Sequence, residues 1–189
     1  MQYYEPYLKY LKDCKLILDT GCGKGEFVDE MNKRGYKCIG CDIAPKRKGI
    51  IKVDLNKPLP FKSEVFDAVT CFHVLEHLKE PLKFIEEVRR ILKPRGIFII
   101  ATPHFMNKTA WIDFQHIRPY CYNTFDFLNS WEIIDRGFQM IRYPHKTWKA
   151  KLYHKILNPF ANRFPILYET IFGYWFGGPE EVYAILRKL

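Results

Sequence analysis

Leu16-Ile17-Leu18-Asp19-Thr20-Gly21-Cys22-Gly23-Lys24-Gly25 carries an apolar strand into an acid and then three alternating glycines, and Asp42 follows 21 residues after Gly21. Glycine alone combines freedom at positive φ with the close approach of a ligand to the backbone. From Glu26 the pattern turns helical, and the free N–H groups of a helix start favour an anionic group at that turn. The next apolar run, 36–41, ends in Asp42, where an acid can accept both hydroxyls of a ribose. Strand, glycine turn, helix, strand and acid together describe a pocket for a nucleoside cofactor.

Two ligand classes use this layout. Dinucleotide sites read G-x-G-x-x-G, the third glycine letting the helix pack closely on its strand. Glu26 stands where that third glycine would be, and its carboxylate would repel a pyrophosphate. The spacing G-x-G-x-G behind Asp19 instead resembles the first motif of class I S-adenosylmethionine-dependent methyltransferases. The resemblance continues in order through Gly40-Cys41-Asp42-Ile43, Val53-Asp54-Leu55 with Leu59-Pro60-Phe61, the run Phe66 to Leu78, and Ile91 to Ile100. The run Phe66 to Leu78 is similar to the fourth-strand region of the branch called methyltransferase type 11. The match spans about residues 16–143 and the last strand.

That resemblance implies a doubly wound, Rossmann-like, mainly parallel seven-stranded sheet whose last strand is antiparallel. It implies S-adenosyl-L-methionine as cofactor. Asp19, Gly21, Cys22, Gly23 and Gly25 would hold the aminoacyl end, Asp42 and Ile43 the ribose, and Asp54 and Leu55 the adenine. Phe72 would pack beside the cofactor, and His77 would pack or hydrogen-bond near it.

The composition fits one domain over residues 1–189. Of the residues, 48% are hydrophobic and 16% aromatic. The N-terminus lacks a basic-then-apolar signal pattern, and no run approaches the ~20 apolar residues of a membrane span. A cytoplasmic location is expected. Six cysteines include one C-x-x-C, Cys38 and Cys41. As strand residues three apart they point to opposite faces, so buried thiols are expected and no metal site. The net charge of +9 suits nucleic acid, an anionic membrane or an acidic small molecule alike.

Strands are expected near 16–20, 36–42, 50–54, 66–72, 96–102, 138–143 and 181–187. Helices are expected over 81–93, with Pro81 in its first turn, and over 124–136, stopped by Gly137. Asp67 begins its strand and is read as structural. Two segments exceed ordinary connections, 103–123 and 144–180, and are candidate substrate lids. The second interleaves Trp148, Tyr153, Phe160, Phe164, Tyr168, Phe172, Tyr174, Trp175 and Phe176 with Lys146, Lys149, Lys151, Lys155 and Arg163. Packing onto the sheet, a hydrophobic substrate channel, and peripheral contact with an anionic membrane can all use that mixture.

Three histidines at the expected ligand edge are catalytic candidates: His73 after the fourth strand, His104 after the fifth, and His116 in Gln115-His116-Ile117-Arg118. Imidazole can take a proton near neutral pH. The fourth strand lacks the Asn/Asp-Pro-Pro-Tyr of many amino-group methylators and the Pro-Cys of pyrimidine C5 enzymes. Oxygen, carbon or a non-nucleobase nitrogen of a small or lipid-like molecule therefore stays open as the methylated atom, and a small-molecule or lipid-linked glycoconjugate acceptor methylated at oxygen is the leading expectation. An RNA methyltransferase and a non-catalytic S-adenosylmethionine-binding regulator are the alternatives.

Overall fold

The computed structural model describes residues 3–140 and 148–189. Seven strands form its sheet: β1 (Leu16–Thr20), β2 (Lys37–Asp42), β3 (Ile51–Lys52), β4 (Phe66–Phe72), β5 (Leu92–Pro103), β6 (Trp131–Gln139) and β7 (Glu181–Lys188). Their order is β3-β2-β1-β4-β5-β7-β6. The pairings from β3 through β5 are parallel, and β7 runs antiparallel to both of its neighbours.

The strand sequences explain why both faces are covered. Successive side chains point to opposite faces, and the buried residues of β1 and β4 divide accordingly. Leu18 and Val69 enter one apolar cluster, with Phe84, Ile85 and Val88 of α2 (Pro81–Ile91). Ile17 and Ala68 enter the other, with Phe27, Val28 and Met31 of α1 (Glu26–Lys33) and Tyr4, Tyr7 and Leu11 from the N-terminal segment. Asp67 accepts from the amides of Lys15 and Leu16 and pairs with Lys93 at 2.6 Å. It therefore ties the starts of three chain segments together.

The helix expected over 124–136 does not form. A short 3-10 turn covers Tyr122–Phe127, and β6 takes Trp131–Gln139. Ile133 and Ile134 face different apolar clusters, as neighbouring strand residues do, and a register shift between Ile133 and Asp135 then keeps Asp135 on the side of Ile134, where it accepts from Tyr10. Two consecutive residues on one face break the alternation by which a strand is recognised in sequence. Gly137 is not a helix stop: a Cβ there would lie 2.0 Å from Asn162 Oδ1. The strand expected over 138–143 accordingly ends at Gln139, and 141–143 lie outside the described residues.

That glycine lets α3 (Trp148–Arg163) lie along β6. Asn162 accepts from the Phe138 amide and donates to its carbonyl, and Asn158 accepts from the Met140 amide. An outer strand is thus capped by side chains that mimic a neighbour. Beyond α3 come short helical turns through Phe176, where Gly173 and Gly178 press on Met106 of the first long insert. Lys146 and the side chains of Lys149 and Tyr153 lie outside the described residues. Among those described, no helix is long and apolar enough to cross a membrane.

Candidate functional site

The strand order reverses at β1, whose neighbours β2 and β4 lead away in opposite directions. Open α/β sheets leave a crevice there, outside the carboxyl ends of the strands. In this chain the crevice is a cleft of about 380 Å³ whose lining includes Gly21, Asp42, Ile43, Asp54, Leu55 and His77. Six of the residues expected to bind cofactor therefore meet in one cavity.

The glycine turn is shaped by what surrounds it. Gly21, Gly23 and Gly25 all have positive φ. A Cβ on Gly21 would fall 2.2 Å from Val74 Cγ2, so the turn and the segment after β4 can meet only at a glycine. Gly25 is the N-cap of α1. Asp42 holds the turn from the next strand: its Oδ2 accepts from the Gly23 amide at 2.9 Å and its Oδ1 from the Ala44 amide at 2.9 Å. A carboxylate has about four lone-pair sites, so acceptor capacity remains for ribose hydroxyls.

Asp19 lies beneath the turn, only 3% exposed. Burial pushes its carboxyl up to about 7, opposed by the hydrogen bond from Thr70 Oγ1 and reinforced by the charge of Asp42. A buried acid so disposed fits a cationic group such as an aminoacyl ammonium, whose charge would restore the carboxylate. Asp54 is different. The Asn56 amide and side chain, with Lys57, hold it below the usual carboxylate range, and it faces the cleft as an anion.

Cys22, Gly23, Gly25 and Asp19 support the turn without lining the cleft. Cys22 Sγ lies where a Cβ on Gly40 would clash. Phe72 is buried on the α1 face, stacked on Tyr7 and edge-on to Phe27, and does not line the cleft.

A second cavity of about 180 Å³ shares His73 and His77 with the cleft and adds Glu76, Thr109, His116 and Glu180. His73 occupies the left-handed region at φ 56, uncommon for a side-chain-bearing residue and a marker of functional positions. Its Nε2 lies 2.7 Å from Glu181 Oε2 and its Nδ1 3.6 Å from Glu76 Oε1. Tyr7 donates to the other oxygen of Glu181. The carboxylate of Glu181 places the proton on Nε2, so the Nδ1 lone pair is turned toward Glu76.

His116 comes to the same cavity through the first insert, whose Ile117 amide donates to the Glu76 carbonyl at 2.8 Å. His104 goes elsewhere. It is fully buried, with Nε2 at 2.7 Å from Glu169 and Nδ1 accepting from the Met106 amide. Both ring nitrogens are engaged, and the residue braces the two long inserts against each other. The reason is positional: His104 sits one residue past β5, where the chain already turns under the insert.

Glu76, Glu181 and Tyr7 were not among the expected site residues. Glu76 belongs to the quoted run after β4, and its pairing with His77 was the available signal. Glu181 meets His73 across 108 positions, which no local pattern announces.

A profile of the methyltransferase-domain family matches residues 2–143. Among curated proteins, a ubiquinone biosynthesis O-methyltransferase of Histophilus somni is 33% identical over 59% of this chain and 53% of its own length. A probable S-adenosylmethionine-dependent methyltransferase of Mycolicibacterium smegmatis is 32% identical over 47% of this chain and 38% of its own. The chain thus spans about half or less of these relatives. Among solved structures, a SAM-dependent methyltransferase from Archaeoglobus fulgidus superposes with a TM-score of 0.71 at 21% identity, covering 98% of this chain and 91% of that one.

Proposed function

The chain belongs to the class I S-adenosylmethionine-dependent methyltransferases, and on that premise we propose that it methylates a hydroxyl oxygen of a small-molecule or lipid-linked acceptor. The observation that carries the reading is the pair of adjoining cavities. One has the glycine turn and strand-end acids of a nucleoside-cofactor cleft; the other opens beside it around His73.

Asp19 and the turn would take the aminoacyl end, Asp42 the ribose, and Asp54 with Leu55 the adenine. S-adenosylmethionine, when bound, supplies a methyl group on a sulfonium, electrophilic enough for in-line displacement. The chain's main contribution is alignment, worth roughly 7–11 kcal/mol for well-oriented reactants. His73 Nδ1 accepts the hydroxyl proton, and Glu181 stabilises the resulting imidazolium.

The segment joining Thr109 to His116 exposes Trp111, Ile112 and Phe114 beside the second cavity. In the other insert Tyr174, Trp175 and Phe176 are exposed. These rings support an acceptor delivered from an apolar phase, with peripheral contact to an anionic membrane. Methyl-labelled cofactor incubated with the protein and fractionated cell extract tests the reading. Label in the organic-soluble or small-molecule fraction supports it. Label in RNA favours the nucleic-acid alternative, and no transfer despite cofactor binding favours a regulatory protein.

A further inference from the structure

Glu76, His77 and His116 each offer one ligand atom within 4.8 Å of the other two. We propose that they form a site for one divalent transition-metal ion at the second cavity, bound through Glu76 Oε1 and the Nε2 atoms of both histidines. Nothing in the sequence spacing announces it, because His116 arrives on an insert.

The carboxylate is poised for a cation. Glu76 is 1% exposed; its Oε2 accepts from Thr102 Oγ1 at 2.9 Å, while its buried Oε1 has no hydrogen-bond partner. A buried carboxylate oxygen without a donor is costly, and the nearest basic group, His73 Nδ1, stands 3.6 Å away.

The histidines are set in the matching tautomer. His77 Nδ1 lies 3.3 Å from the Gln115 carbonyl, and His116 Nδ1 lies 3.2 Å from the Ala110 carbonyl. A carbonyl only accepts, so both protons sit on Nδ1 and both Nε2 lone pairs are free to bind. Carbonyl partners of this kind orient metal-ligating imidazoles generally. Asp113, 3.9 Å from His116 Nε2, supplies a further acid at the rim. The Ile117–Glu76 backbone bond fixes the two segments, leaving only side chains to close. Ligands at about 2.0–2.2 Å from the ion need the cluster to tighten modestly.

Two imidazoles and one carboxylate suit zinc, cobalt, nickel, iron or manganese better than magnesium or calcium. Binding stands independently of the reaction. A role for the ion rests on the proposed methyl transfer: it would bind the acceptor oxygen and lower its pKa. The hydroxyl proton then passes to His73, the oxygen forms the new C–O bond, and the C–S bond breaks to leave a neutral thioether.

Cobalt(II) titration of chelator-stripped protein tests the site, followed by absorption spectroscopy and calorimetry. The expected result is one ion per chain, with visible bands of a nitrogen–oxygen ligand set and no thiolate charge transfer. Glu76→Gln and His116→Ala should each weaken binding about tenfold or more. A melting shift with S-adenosylhomocysteine verifies that each variant is folded, and His116→Ala, in the surface insert, is the safer of the two. No stoichiometric binding, thiolate charge transfer, or unchanged affinity in His116→Ala would overturn the proposal. Cobalt binding of the expected kind in a protein that ignores S-adenosylhomocysteine would support the metal site and overturn the methyltransferase reading.

Discussion

The carboxylate of Asp42 receives the amide of Gly23, so the acid that ends β2 also fixes the middle of the turn that ends β1. The two halves of the cofactor cleft are thereby one hydrogen-bonded unit. The acid proposed to recognise the ribose is already held in place before any ligand arrives, which lowers the ordering cost of binding.

Asp42→Asn should uncouple that unit. An amide has a single oxygen and its NH2 only donates, so either Gly23 or Ala44 loses its acceptor. Charge-assisted hydrogen bonds contribute about 1.5–3 kcal/mol, which corresponds to roughly 10- to 150-fold in S-adenosylhomocysteine affinity. Calorimetry showing affinity within twofold of the parent would remove Asp42 from the site.

Asp19 gives the cleft a pH dependence. Its folded pKa of about 7 stands above the ordinary 3.8, so the free protein holds this proton where the unfolded chain has lost it. Stability from Asp19 is therefore complete below the ordinary value and declines as pH rises to about 7, by up to about 4 kcal/mol. A cationic aminoacyl group needs the carboxylate, so S-adenosylhomocysteine affinity should fall about tenfold per pH unit below 7 and level off above it. Asp19→Asn should melt higher than the parent at pH 8 and bind the ligand poorly. A flat affinity profile from pH 5.5 to 8 would contradict this account.

Gly21→Ala should cost stability through two separable causes. The left-handed conformation disfavours a Cβ by about 1–2 kcal/mol, and Val74 Cγ2 would stand only 2.2 Å from it. Adding Val74→Ala should recover part of the lost melting temperature by relieving the clash. Equal melting of single and double variants would show that Val74 is not the obstacle.

The histidines should separate by role. His73→Ala should lower kcat by about 10²–10⁴-fold, the usual range for a general base, with the fold intact. His104→Ala should instead destabilise the protein by about 1.5–3 kcal/mol, the worth of a hydrogen bond to a charged group, since Glu169 loses the donor at Nε2, and leave cofactor affinity near that of the parent. Denaturant melts alongside turnover distinguish them.

What could be read in advance followed from local patterns. β1, β2 and β4 announce themselves because short apolar runs end in Asp19, Asp42 and the His73 segment, and the glycines between them have few other uses. β6 did not, because its register shift puts Ile134 and Asp135 on one face and Gly137 mimics a helix terminus. The acids that line the cleft were legible because Asp42 ends β2 and Asp54 lies two residues beyond β3. Glu181 and Glu76 were not, since their meaning depends on β7 inserting beside β5 and bringing position 181 to His73. His104 misled for the same reason: the ligand edge is visible in sequence, but the direction taken one residue beyond it is not.

Thermal melts with S-adenosylmethionine, S-adenosylhomocysteine and NADH in parallel test the central claim most directly. A ligand at 100 times its Kd adds about 2.7 kcal/mol of stability, enough to move a melt clearly. The account predicts a shift with both adenosyl ligands, lost in Asp42→Asn, and none with NADH. A shift with NADH alone, or silence from all three, would contradict it.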